Sequence, residues 1–167
     1  MIKKRIIPCL DIKNGRLVKG INFVDLADVG DPIKYAKEYE EQGAEEIVFL
    51  DITATNEERE MAKGILEKAS SELKIPFTVG GGIRTISDIK EILKIGANKV
   101  SINSAAVLNP KLIKDASSEF GSACIVVAVD GKRDENGIFK VYIKGGQENT
   151  GIDLVEWAKQ CENNRSW

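Results

Sequence analysis

Five short runs of β-branched and apolar residues recur along this chain, each followed by an amphipathic segment of helical length. No other feature narrows the fold as far. Strand–helix alternation lays successive strands side by side in parallel through right-handed crossovers. The runs are "RIIPCLDI" (5–12), "EIVFLDI" (46–52), "FTVG" (77–80), "KVSIN" (99–103) and "ACIVVAVD" (123–130). Their near-continuous apolar character is that of strands covered on both faces. One helix is expected over 32–42, with Asp31 as its cap, Pro32 in its first turn and Gly43 as its stop. Others are expected over 57–71, from Ser87 to Gly96, from Pro110 to Gly121, and over 152–162. A Gly-containing loop through Asn14, Gly15 and Gly20 follows the first strand, and "IFKVYIKGG" (138–146) adds a hairpin arm. Two architectures meet this order: an open doubly wound sheet, or part of an eight-fold barrel. No low-complexity linker interrupts the order, so one domain is expected.

Composition then removes several classes of function. Apolar residues make up 43% and charged residues 30% of the 167, which suits a packed core and not a disordered chain. A formal net charge of -2 offers nucleic acid or anionic lipid no bulk attraction. No apolar run reaches the roughly 20 residues of a membrane span. The start "MIKKRIIPCLDIKNG" has too short an apolar stretch for a signal peptide, so a cytoplasmic location is expected. Cys9, Cys124 and Cys161 are odd in number and far apart, which indicates reduced thiols. Cys9 and Cys124 lie within apolar runs and are expected to serve as small hydrophobes. Histidine is absent, so acid–base chemistry near neutral pH falls to carboxylates, Lys, Tyr or Cys.

Three aspartates end apolar runs: Asp11 in "CLD", Asp51 in "FLD" and Asp130 in "AVD". The C-terminal ends of parallel strands are where such folds keep their chemistry. Each aspartate alone also suits a loop cap. "CLDIKNGRLVK" and "AVDGKRDENGIFKV" echo each other, both passing from an apolar run through Asp, Lys and Asn-Gly to apolar and basic residues. In a barrel, strands one and five stand opposite, so Asp11 and Asp130 would face each other as acid and base; two carboxylates also suit a divalent cation. Gly80, Gly81 and Gly82 end a strand before a helix. That is an ordinary tight turn, or a place where backbone N–H groups approach an anion. Asn103 and Ser104 occupy the same position one unit later, which makes a phosphate cradle with the glycines the stronger reading. Lys19, in "RLVKG", is a solvated lysine or a contact for an anionic substrate. Arg5, Glu46 and Lys99 stand near strand starts, where stability roles are usual. Asp88, Lys90, Glu91 and Lys94 read as a solvated helix face.

Taken together, "RIIPCLDIKNGRLVKGINF", "FLDITAT", "VGGGIR", "SINSAAV" and "VAVDGKR" resemble the cyclase-subunit family of imidazole glycerol phosphate synthase, from histidine biosynthesis. The resemblance spans residues 1 to about 162. The related phosphoribosylformimino isomerase barrel shares the opposed aspartates and the glycine loop, and "PCLDIKNGRLVKG" favours the cyclase. The resemblance implies a (β/α)8 TIM barrel with Asp11 and Asp130 as the acid–base pair. It implies that Gly81, Gly82, Asn103 and Ser104 hold one phosphate of a ribulosyl-formimino-aminoimidazole-carboxamide ribonucleotide. Lys19 and Asp51 match pocket positions. Ammonia would come from a glutaminase subunit docked on the N-terminal face, past a charged gate to which Arg5, Glu46 and Lys99 belong. No cofactor and no metal are implied.

The expected barrel is incomplete, with about five βα units over 1–162 and a tail, "NNRSW", that departs from the family's pattern. Five strands do not close an eight-stranded barrel. The expectation is a truncated or frame-shifted chain, or a fragment, with little or no turnover alone and a tendency to associate with itself or a complementary piece. An inactive phosphate-binding half-barrel is then the alternative to an enzyme.

Overall fold

The computed structural model describes the backbone of residues 4–21, 24–52 and 56–164, and the side chains of 4–20, 27–52 and 63–164. The chain divides into two compact units: residues 1–82 with 90–98, and residues 83–89 with 99–167.

In the first unit, β1 (Cys9–Lys13), β4 (Ile47–Asp51) and β5 (Phe77–Gly80) run parallel. β1 also turns back into β2 (Arg16–Ile21), which pairs with β3 (Val24–Gly30), both antiparallel. The loop expected after the first strand is therefore a β-meander. Its turn is Asn14-Gly15, both with positive φ (52° and 71°), the geometry that matches strand twist in a two-residue hairpin. The first strand begins at Cys9, not Arg5; Pro8 supplies only a carbonyl, to Val48 N–H. α1 (Pro32–Glu41) forms as expected. Asp31 accepts from Ile33 and Lys34 N–H, Pro32 opens the helix, and Gly43 follows its end at φ 95°. α2 (Asn56–Glu72) also lies where the periodicity puts it.

Helix and strand periods meet in one core. Leu10, Ile12, Ile47, Phe49, Phe77 and Val79 present one face of the sheet to Ile33 and Ala36 of α1 and Ile65, Leu66 and Ala69 of α2. Phe49 and Phe77 meet edge to face, 5.8 Å between centroids. α3 (Ile86–Ile95) carries the division between the units.

In the second unit, β6 (Lys99–Ile102) and β7 (Ile125–Val127) are parallel, in register Val100↔Ile125 to Ile102↔Val127. Between them lie α4 (Ser104–Leu108) and α5 (Lys111–Phe120). α4 was not expected. It closes on the Asn103 carbonyl, which accepts from Ala106 and Val107 N–H, and stops at Asn109 because Pro110 disfavours helix before it. The expected strand over 123–130 is divided: a 3-10 turn at Ser122–Cys124, β7, and then Asp130, which opens β8 (Asp130–Arg133). β8, β9 (Phe139–Ile143) and β10 (Glu148–Asp153) form a separate antiparallel sheet. α6 (Leu154–Asn163) begins two residues later than expected because Asp153 caps it, accepting from Val155 and Glu156 N–H. The core holds Val100, Ile102, Ile113, Ala116, Ile125, Val141, Ile143 and Trp157. Of the tail, Asn163 and Asn164 finish α6, and residues 165–167 lie outside the described residues. The α/β class with a parallel core holds; neither unit's sheet closes on itself among the described residues.

Candidate functional site

Strand register sorts the polar side chains of the first unit. Leu10 and Ile12 enter the core under α1 and α2, so Cys9 and Asp11 occupy the opposite face of β1. Asp11 pairs with Leu50, and Cys9 with Val48. Val48 in turn pairs with Thr78. One face of the sheet thus carries Glu46 just before β4, the row of Cys9, Val48 and Thr78 near the strand starts, and Asp11 and Leu50 further toward the strand ends. Cys9 is accordingly exposed; Cys161 is the buried thiol, which corrects the expectation for Cys9.

At the N-terminal end of that face, Glu46 is 3% exposed and both its oxygens are engaged. Arg5 Nη1 donates to Oε2 at 3.1 Å, and Thr78 Oγ1 donates to Oε1 at 2.7 Å. Arg5 reaches it from the segment before β1, its side chain half in solvent. Thr78 escaped the sequence reading because a threonine in "FTVG" looks like any β-branched strand residue; only its register with Val48 reveals it. Lys99 opens β6 in the other unit, half-buried.

At the C-terminal end of the same face, Asp11 is partly buried, and that desolvation holds its carboxyl above its ordinary value. Asp51 pairs with Ile12, so its register position is on the helix-covered face, opposite Asp11. Asp11 and Asp51 are therefore not equivalent, as their shared place in "LD" had suggested. Asp51 bears on the glycine loop through its backbone. A Cβ on Gly81 would overlap the Asp51 carbonyl, and Gly81 and Gly82 have φ of 93° and 67°. Gly81 is demanded first by the close approach of two strand ends, and Gly82 by its left-handed backbone. Lys19 stands exposed on β2, paired with Ala27.

In the second unit, Asn103 Nδ2 donates to Asp130 Oδ2 at 3.2 Å. Ser104 Oγ accepts from Lys144 N–H at 3.0 Å, which leaves its own proton free to donate. The start of α3 carries its own carboxylate: Asp88 Oδ2 accepts from Arg84 and Thr85 N–H at 2.9 Å each, while Thr85 Oγ1 takes Asp88 N–H. Asp88 thus caps the helix at its exposed start, and Lys90, Glu91 and Lys94 of the expected solvated face are exposed. Among the described residues no cluster of three His, Cys, Asp or Glu side chains is arranged to hold a metal, and no helix is long and apolar enough to cross a membrane.

The first unit thus holds, on one sheet face, a carboxyl of raised proton affinity and a half-buried ion pair, and the second unit holds a carboxylate that accepts from an amide. A family model described as histidine biosynthesis protein matches residues 5–166. A protein of Lactococcus lactis subsp. cremoris (strain SK11), named imidazole glycerol phosphate synthase subunit HisF, is 66% identical over 163 residues, 97% of this chain and 63% of its own length. Proteins of the same name from Hydrogenobaculum sp. (59% identical, covering 98% of this chain and 65% of the relative) and Alkaliphilus metalliredigens (56%, covering 96% and 64%) agree. The chain spans less than two thirds of the length of these relatives.

Proposed function

Because the chain belongs to the histidine biosynthesis protein family, we propose that it supplies part of the cyclase subunit of an imidazole glycerol phosphate synthase. In this reading a glutaminase partner delivers ammonia. The ammonia attacks the ribulosyl-formimino-aminoimidazole-carboxamide ribonucleotide, and ring closure with cleavage, a lyase step, gives imidazole glycerol phosphate and the aminoimidazole carboxamide ribotide. The observation that carries it is the 66% identity over 97% of the chain to a relative bearing that subunit's name.

Asp11 and Asp130 are assigned as the acid–base pair. A carboxyl whose proton affinity is raised by desolvation is closer to the working pH, where proton transfer is most effective, and Asp11 meets that condition. Gly81, Gly82, Asn103 and Ser104 are assigned to one substrate phosphate, through backbone N–H groups and the Ser104 hydroxyl proton. Lys19 and Asp51 are assigned to substrate contacts. Arg5, Glu46 and Lys99, now with Thr78, are assigned to the gate that ammonia passes. The shared sheet face of the Glu46 cluster and Asp11 supports this assignment, because a molecule entering beside Glu46 would reach Asp11 without crossing the helix layer.

The test is to supply the ribonucleotide and an ammonium salt to the chain mixed with the segment of the Lactococcus relative that it does not span. Imidazole glycerol phosphate should form, and the Asp11→Asn and Asp130→Asn proteins should each form none. An associated, folded mixture that is inert, or that performs Amadori-type isomerisation instead, overturns the assignment.

A further inference from the structure

We propose that Asn103 is, through its side-chain amide, a positioning residue for Asp130; this rests on the assignment of Asp130 as a proton-transfer group. Three observations converge. Asn103 Nδ2 donates to Asp130 Oδ2 at 3.2 Å. Its other end, Oδ1, is buried and has no partner. Its backbone is held from both sides: the preceding Ile102 carbonyl accepts from Ala128 N–H, and its own carbonyl accepts from Ala106 and Val107 N–H at the start of α4.

The electrostatics fix which way the amide points. Turning it over would set Oδ1 against a carboxylate oxygen, acceptor against acceptor. The carboxylate therefore selects the amide's orientation, and the rigid β6–α4 junction gives that orientation a fixed base. A buried acceptor without a donor works against stability, so stability does not account for an asparagine here. Holding Asp130 does. Asp130 opens β8 in register with Tyr142 of β9, so its backbone is placed by that ladder and its carboxylate by the Asn103 amide. One of the two N–H groups of Nδ2 is committed to Asp130 in this geometry.

The experiment reads the Asn103 side-chain amide by NMR in the 15N-labelled chain, with the signal assigned through its loss in Asn103→Ala. Asp130→Ala should move the amide proton that faces Asp130 toward the free-amide position, while Ser104→Ala leaves it in place. An Asn103 signal indifferent to Asp130→Ala overturns the proposal, and this readout needs no turnover. In the completed, ammonia-driven enzyme, Asn103→Ala should lower kcat about tenfold to a hundredfold, the cost of a misaligned catalytic group, with KM within about twofold. A raised KM at unchanged kcat would overturn the positioning role. Undiminished turnover in Asp130→Asn would instead refute the acid–base role of Asp130, even if the amide contact stood.

Discussion

At Gly81 the carbonyl of Asp51 occupies the space that a side chain would need. Gly81→Ala meets a backbone atom, which cannot swing aside, and a φ of 93° that L-residues resist. Strain and overpacking together should cost about 2–4 kcal/mol in urea unfolding; a loss under about 0.5 kcal/mol, typical of a surface change, would mean that the strand ends are further apart in solution. Asp11 makes the opposite kind of prediction. Its folded carboxyl holds its proton more tightly than the unfolded value of 3.8, through desolvation. The fold therefore favours the protonated form, and that advantage is lost as pH rises through the folded value. The stability of Asp11→Asn relative to the parent should grow between pH 4 and pH 7, measured as the difference in urea midpoints. A flat difference would show that Asp11 is fully hydrated. A carboxylate that weakens its own fold is expected where proton transfer, not packing, sets the residue.

Elements whose cause is local were readable in advance. Asp31, Pro32 and Gly43 bound α1 because a cap, a fixed φ and a left-handed stop act within four residues of chain. Asp31→Ala should cost about 1 kcal/mol, and Asp153→Ala a similar amount at α6, each read as a lowered unfolding midpoint with unchanged slope. Equal midpoints for parent and variant would say that the helix ends are held by packing alone. The "KNG" turn carries an equally local signal, Asn-Gly between alternating runs, yet the expectation over β2 is a loop and β3 carries none. Their residues, "RLVKGI" and "VDLADVG", are too polar and glycine-bearing to look like strands. The echo between "CLDIKNGRLVK" and "AVDGKRDENGIFKV" proves to be structural. Each segment forms a hairpin, β1–β2 in one and β8–β9 in the other, although the second needs Asp134 to cap its turn, accepting from Asn136 and Ile138 N–H.

At the scale of the whole molecule, buried charge and strand register connect the fold to its proposed work. Glu46 ties together the segment before β1, the start of β4 and β5. Thr78→Val removes the hydroxyl that donates to the buried Glu46 carboxylate and should cost about 1–3 kcal/mol. In a completed synthase, Arg5→Ala should impair turnover driven by glutamine more than turnover driven by free ammonium, since a gate matters only to ammonia that passes it; equal impairment would remove Arg5 from that role. The sequence by itself determined the alternation of strands and helices, the caps, the glycine loop and the family. Each of these is written in neighbouring residues or in contiguous motifs. Only the tertiary structure decided that Asp11 shares a sheet face with Glu46 and Thr78 while Asp51 does not, and that the Asn103 amide is committed to Asp130. Those facts depend on register between strands dozens of residues apart, where a shift of one position exchanges the two faces of a sheet, and no local signal records that choice.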